Sequence, residues 1–223
     1  MLQKFFLLRC SPSVGHNSLA KFDDLLRCLI QLITNSDLSN IQWTQASLPV
    51  KDGGLGVRCE SLLALPAFLA SAASTLSLQV DIWAECPSSD NDCLRNYLSD
   101  WSIKFGNVPD VLPGKQPFWD RPGMLEDKAL VEANLHTTHH QASFLAASSQ
   151  HSGDWLFALP IASCRLKLDD EAVRVAVGLR LGLDLCIPHK CQCGSPVDAR
   201  GLLSFVCKRA LGRSARDHAL TTW

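Results

Sequence analysis

The residues with the clearest chemical potential lie toward the C-terminal end of the sequence, between Cys186 and His218. Cys191 and Cys193 stand two apart, Gly194 follows them, and Cys207 returns after a loop. Two thiolates at that spacing, a glycine that lets the chain fold back and a third thiolate are the makings of a zinc knuckle. A closed structural zinc site takes four donors. Cys191, Cys193 and Cys207 supply three, and His218 is the candidate fourth, with His189 or Cys186 as alternates. The competing reading is three free thiols on a short loop.

The same segment is basic. From Cys186 onward, Lys190, Arg200, Lys208, Arg209, Arg213 and Arg216 face only Asp198 and Asp217, a local charge of +4; the chain as a whole is −1, so the remainder carries −5. A basic end on an acidic body is the asymmetry of a surface that meets a phosphate backbone. Lys190, Lys208, Arg209, Arg213 and Arg216 are therefore candidate contacts for RNA or DNA. A solvated helix face is the alternative.

No other constellation completes a catalytic site. Asp23-Asp24 and Asp169-Asp170 each look like a metal-binding pair of a polymerase, but no third carboxylate arrives on a suitable strand. Both pairs read more simply as residues near helix N-termini. His136 and His140 fall at i, i+4 and would share one helix face, with His139 beside them. A zinc hydrolase would place its glutamate base at the position after the first histidine, where this chain has Thr137. Gly53, Gly54 and Gly56 are not followed by the Lys-Ser or Lys-Thr of a phosphate loop. No Gly-x-Ser-x-Gly elbow occurs.

The elements that position these groups are mainly α-helical. Leu19, Phe22, Leu25, Leu26, Leu29, Ile30 and Ile33 recur at helical spacing, so Leu19 to Thr34 reads as an amphipathic helix capped by Asn17 or Ser18. Leu38 to Leu48 is a second, shorter helix, followed by a tight glycine turn over 51–56. Cys59 to Leu78 reads as a buried helix, kinked or broken at Pro66. Five prolines between Cys86 and Gly123 predict a loop-rich connection with one short helix near Leu94 to Phe105. Leu125 to Ser148 reads as one helix, and Asp169 caps another that runs from Asp170 to about Leu183. The organisation is a helical segment over 1–56, a helical linker region over 57–165, and a helix with the Cys-rich basic segment over 166–223.

At 47% hydrophobic and 19% charged, the chain has the composition of a folded protein rather than a disordered one. Cys10, Cys28, Cys59 and Cys164 stand singly among apolar residues, as buried thiols do in a reducing compartment, so nucleus or cytoplasm is expected. No apolar run reaches the length of a membrane span, and no membrane partner is expected.

Two stretches together carry a family resemblance. Gln42-Trp43-Thr44-Gln45-Ala46-Ser47-Leu48-Pro49, then Gly53-Gly54-Leu55-Gly56, resembles the segment just past the polymerase palm in reverse transcriptases of non-LTR retrotransposons. Leu168-Asp169-Asp170-Glu171-Ala172-Val173, then Cys191-x-Cys193-Gly194, Asp198-x-x-Gly201, Cys207 and Gly212-Arg213-x-x-Arg216-x-His218, is similar to the cysteine-histidine knuckle of the same polyproteins. The resemblance implies a thumb-like helical start, a helical linker and a knuckle that grips nucleic acid. It also implies that the catalytic aspartates belong to a palm upstream, the natural protein partner of this segment. The family pattern has histidine at position 203, where this chain has Leu203. It also has Arg-His-His where this chain has Arg216-Asp217-His218. The expectation is a fragment of a retroelement polyprotein, not an enzyme by itself, with a degenerate knuckle and weak non-specific RNA or DNA binding. The rival readings are an inert structural remnant and a metal-dependent hydrolase built on His136, His140 and one cysteine of the knuckle.

Overall fold

A computed structural model describes residues 8–9, 14–82, 89–161, 163 and 167–209. Among these residues the protein is mainly α-helical, as the periodicity predicts. The helices are α1 (Asn17–Thr34), α2 (Asn40–Ser47), α3 (Glu60–Ile82), α4 (Ser89–Phe105), α5 (Gln116–Ala133), α6 (Thr138–Ala147), α7 (Asp170–Leu181) and the single turn α8 (Leu203–Val206). The only sheet among the described residues is a hairpin of β1 (His189–Lys190) and β2 (Pro196–Val197).

The motif that carries the resemblance is a structural lock. Ser39 and Gln42 form a reciprocal capping box at the start of α2. The Gln42 amide also donates to the Gly182 carbonyl at 3.3 Å, and Gln45 donates to the carbonyls of Arg180 at 2.9 Å and Gly53 at 3.3 Å. The glycine turn closes the lock. A Cβ at Gly54 would lie 2.0 Å from the Leu48 carbonyl oxygen, so only glycine fits there. Arg180 of α7 reaches back, donating from Nε to the Gly54 carbonyl at 2.8 Å and from its terminal nitrogen to Val50 at 2.5 Å. Ile30, Leu38 and Ala46 share one core cluster with Val177, Leu181 and Leu183, so the 1–56 and 166–223 segments meet in one core.

The helix starts differ from expectation in an instructive way. His16, not Asn17 or Ser18, caps α1, its Nδ1 accepting from the Ser18 N–H at 3.2 Å. Asp23 is not a first-turn residue serving its own helix. It is buried and caps α3 instead, accepting from the Glu60 N–H at 2.7 Å, the Ser61 N–H at 3.1 Å and the Ser61 hydroxyl. Asp169 caps α7 as read, accepting from the Ala172 N–H at 2.7 Å.

Prolines mislead as loop markers here. Pro66 lies inside α3, which continues through it to Ile82. Among the described residues, the loop-rich reading of 86–123 shrinks to 106–115, because α4 starts at Ser89 and α5 at Gln116. Pro117 sits in the first turn of α5, where no backbone N–H is needed. Conversely, the single helix expected over 125–148 is two. Asn134 closes α5, and the Thr137 hydroxyl starts α6 by accepting from the His140 N–H at 3.1 Å.

The window Glu60–Gln79 corrects the reading on apolar length: at 20 residues and a mean hydropathy of 1.6, it is long and apolar enough to cross a membrane by composition. Its first half is core, with Leu63, Ala64, Ala67, Leu69 and Ala70 buried. Against Leu69 and Ala70 pack Trp101 of α4 and Trp119 of α5.

Candidate metal centre

Local folding brings the three thiols together. The hairpin pairs His189 with Val197 and Lys190 with Pro196. Beyond the ladder, Cys191 N–H donates to the Ser195 carbonyl at 2.9 Å and Gly194 N–H to the Cys191 carbonyl at 2.8 Å, a tight turn that sets Cys191 and Cys193 side by side. Gly194 has φ +86°, a left-handed conformation that favours glycine. The chain returns through a turn in which the Asp198 carboxylate accepts from the Leu202 N–H at 3.2 Å and the Asp198 carbonyl from Gly201 at 3.0 Å. One turn of α8 follows, and Cys207 N–H closes onto the Leu203 carbonyl at 2.8 Å.

The Sγ atoms of Cys191, Cys193 and Cys207 then lie within 4.8 Å of one another, and Cys191 and Cys207 are 3.6 Å apart. A tetrahedral zinc thiolate with bonds of about 2.3 Å puts its sulfurs about 3.8 Å apart. The donor set and the spacing fit a soft divalent metal. Outer contacts support the sulfurs: Arg209 N–H donates to Cys207 Sγ at 3.4 Å, and its side chain donates to the Gln192 carbonyl at 3.3 Å.

Of the alternates for the fourth donor, neither joins the group. The Cys186 thiol donates to the Asp198 carbonyl at 3.2 Å, and His189 Nδ1 lies 2.9 Å from the Ile187 carbonyl. Leu203 lines the same cavity, of about 420 Å³, as Cys191 and Cys207, and its hydrocarbon side chain offers no donor. His218, Arg213 and Arg216 lie outside the described residues. Lys190, Lys208 and Arg209 are exposed around the cluster.

The thiols differ in acidity. Hydrogen bonds from the Ser195 hydroxyl and backbone N–H, with Cys191 and Cys207 adding to them, bring Cys193 down to about 6. The Arg209 N–H favours the Cys207 thiolate, but burial and the neighbouring sulfurs outweigh it and raise that thiol. Cys59, buried and near the Asp23 carboxylate, is pushed up to about 11. In metal-free protein, iodoacetamide at pH 7 is expected to alkylate Cys193 first and Cys59 last, because only the thiolate attacks. Peptide mapping across pH checks this. A Cys193 rate that rises only near pH 9 would contradict it.

The histidine cluster does not form a metal site. His136 falls in the break between α5 and α6, so it does not share a helix face with His140. Among the described residues, Cys191, Cys193 and Cys207 form the one group of three or more that could hold a metal ion. His140 instead accepts from Arg200 at its Nε2, a contact across sixty positions that no local pattern announces. Comparisons with protein-family models, curated proteins and solved structures return no match.

Proposed function

We propose that this chain is the thumb, linker and knuckle portion of a non-LTR-retrotransposon-type reverse transcriptase polyprotein, and that its own task is to hold RNA or DNA non-specifically on a zinc-stabilised basic segment. The observation that supports this reading is the convergence of Cys191, Cys193 and Cys207, with exposed Lys190 beside Cys191 in the chain and exposed Lys208 and Arg209 following Cys207. In this reading zinc is held by the three thiolates with His218 as fourth donor, and its role is structural. It fixes the hairpin against α8 so that the cations present one face. The chain supplies no catalytic group; polymerase chemistry belongs to a palm elsewhere in such polyproteins. Leu25, Leu29, Leu32 and Ile33 form an exposed apolar stripe on α1, the surface that a palm would cover.

Binding of this kind works by phosphate neutralisation and counterion release, so affinity falls linearly on a log scale with salt. Changing Lys208, Arg209, Arg213 and Arg216 together to Ala is expected to reduce the slope against duplex DNA by about 3 to 4, at roughly 0.9 for each phosphate contact. Filter binding across a salt series measures it. An unchanged slope would remove the basic segment from the interface.

A further inference from the structure

We infer that a second site, between α2, α6 and α7, binds a phosphate group through Ser39, His136, His140 and Ser143, in the field of Arg180. It lies outside the thiol cluster, although the Cys-rich segment lends it Arg200, and it does not depend on the nucleic-acid reading proposed for that segment. The cleft has a volume of about 250 Å³, and no carboxylate among the described residues lines it. That size suits a phosphate ester better than a larger organic ligand.

The argument is one of uncompensated charge. Arg180 is only 7% exposed. Its guanidinium donates to the backbone carbonyls of Gly54, Val50 and Ser152, with the Ser152 hydroxyl as its one side-chain partner. Dipoles satisfy its N–H groups, but no carboxylate among the described residues neutralises it, and buried cations ordinarily have a counter-charge. A second cation, Arg200, donates to His140 Nε2 on the cleft wall. The His139 ring lies 6.5 Å from that of His140. Burial first, then Arg200, His139 and His136, disfavour the protonated form of His140, and no acid offsets them. Such convergence of cationic groups without an anion is expected where a ligand brings the anion.

The donors are also in place. Arg200 occupies Nε2, so the neutral His140 ring keeps its proton at Nδ1. Ser39 Oγ accepts from the Gln42 N–H, which leaves its own O–H to donate outward. The amides of Gln42, Gln45 and Asn134, which also line the cleft, are already committed to backbone carbonyls. Recognition therefore falls to the histidines and hydroxyls. A phosphate group, with several acceptor oxygens and up to two charges, matches that set.

The test uses the full chain with isotopically labelled histidine, titrated with inorganic phosphate at constant ionic strength. Saturable shifts of the His136 and His140 ring signals are expected. In His136→Gln/His140→Gln, the affinity read from the remaining histidine signals or by calorimetry should fall roughly tenfold or more, as two charge-assisted bonds are lost. Shifts no different from those with chloride, or undiminished affinity in the double variant, would overturn the site. If that variant does not fold, Arg200→Gln replaces it, with weaker phosphate binding again expected and unchanged binding overturning the proposal. Zinc content, measured alongside, reports separately on the Cys-rich segment. A single-stranded oligonucleotide that displaces phosphate identifies a nucleic-acid backbone as its source. Phosphate that stays bound identifies a free phosphate ester. Either result supports the site.

Discussion

With zinc held as proposed, replacing Cys207 by Ser is expected to release it and to unfold the segment from Cys186 to Arg209, while the helical body stays intact. The segment has little else to hold it. Its regular structure is two strands of two residues and one helix of four. Val197 and Cys207 are its buried hydrophobic residues. A structural zinc ion contributes on the order of 10 kcal/mol or more to a module of this size. Cys207 is the donor that ties α8 back to the hairpin, so its loss leaves two sulfurs on one turn and no cross-link between the two halves. Hydrogen exchange measures the outcome at the Cys191 and Gly194 amides, both bonded within the hairpin turn. They should lose protection in Cys207→Ser, and equally on chelation of the wild-type protein, with amides of α3 and α5 unaffected. Retained protection would mean that packing, not metal, holds the segment.

The helical body has its own keystone. Trp119→Ala is expected to lower stability by about 3 to 5 kcal/mol, the usual range for emptying a large aromatic site in a core. Trp119 is fully buried. Its ring meets Trp101 edge-on at 5.2 Å and Phe118 at 5.3 Å. Its indole N–H donates to the Pro113 carbonyl at 2.7 Å, and its own carbonyl accepts from the Trp101 indole at 3.1 Å. The substitution therefore opens a cavity and leaves the Pro113 carbonyl without its donor. Urea denaturation gives the number. A loss under about 1 kcal/mol would show that α4 and α5 are held by other contacts.

How much of this was legible in the sequence depends on whether the cause is local. Asp169 as a cap, α1 and α2 as helices, and Cys191, Cys193 and Cys207 as a group all follow from spacing within a few turns of chain. The thiols were readable because a glycine between donors and a short return loop leave few ways to fold. Readings failed where the partner is remote or the local signal has two meanings. Asp23 looked like the start of its own helix because nothing nearby announces that it caps α3, some 37 positions on. His136 and His140 looked like one helix face because i, i+4 spacing assumes an unbroken helix. Thr137 breaks it by capping α6. Pro117 and Pro122 read as loop by number, although Pro117 stands in the first turn, where a proline costs a helix little, and α5 continues through Pro122. Arg180 and its carbonyls were invisible, since only the fold brings the glycine turn to α7.

The most direct measurement is zinc-edge X-ray absorption on the purified full chain. Stoichiometric zinc with three sulfur donors at about 2.3 Å and one nitrogen is expected, with sulfur coordination lost in Cys191→Ser/Cys193→Ser. Protein that carries no zinc, or zinc bound only by nitrogen and oxygen, would contradict a metal-held, nucleic-acid-gripping knuckle.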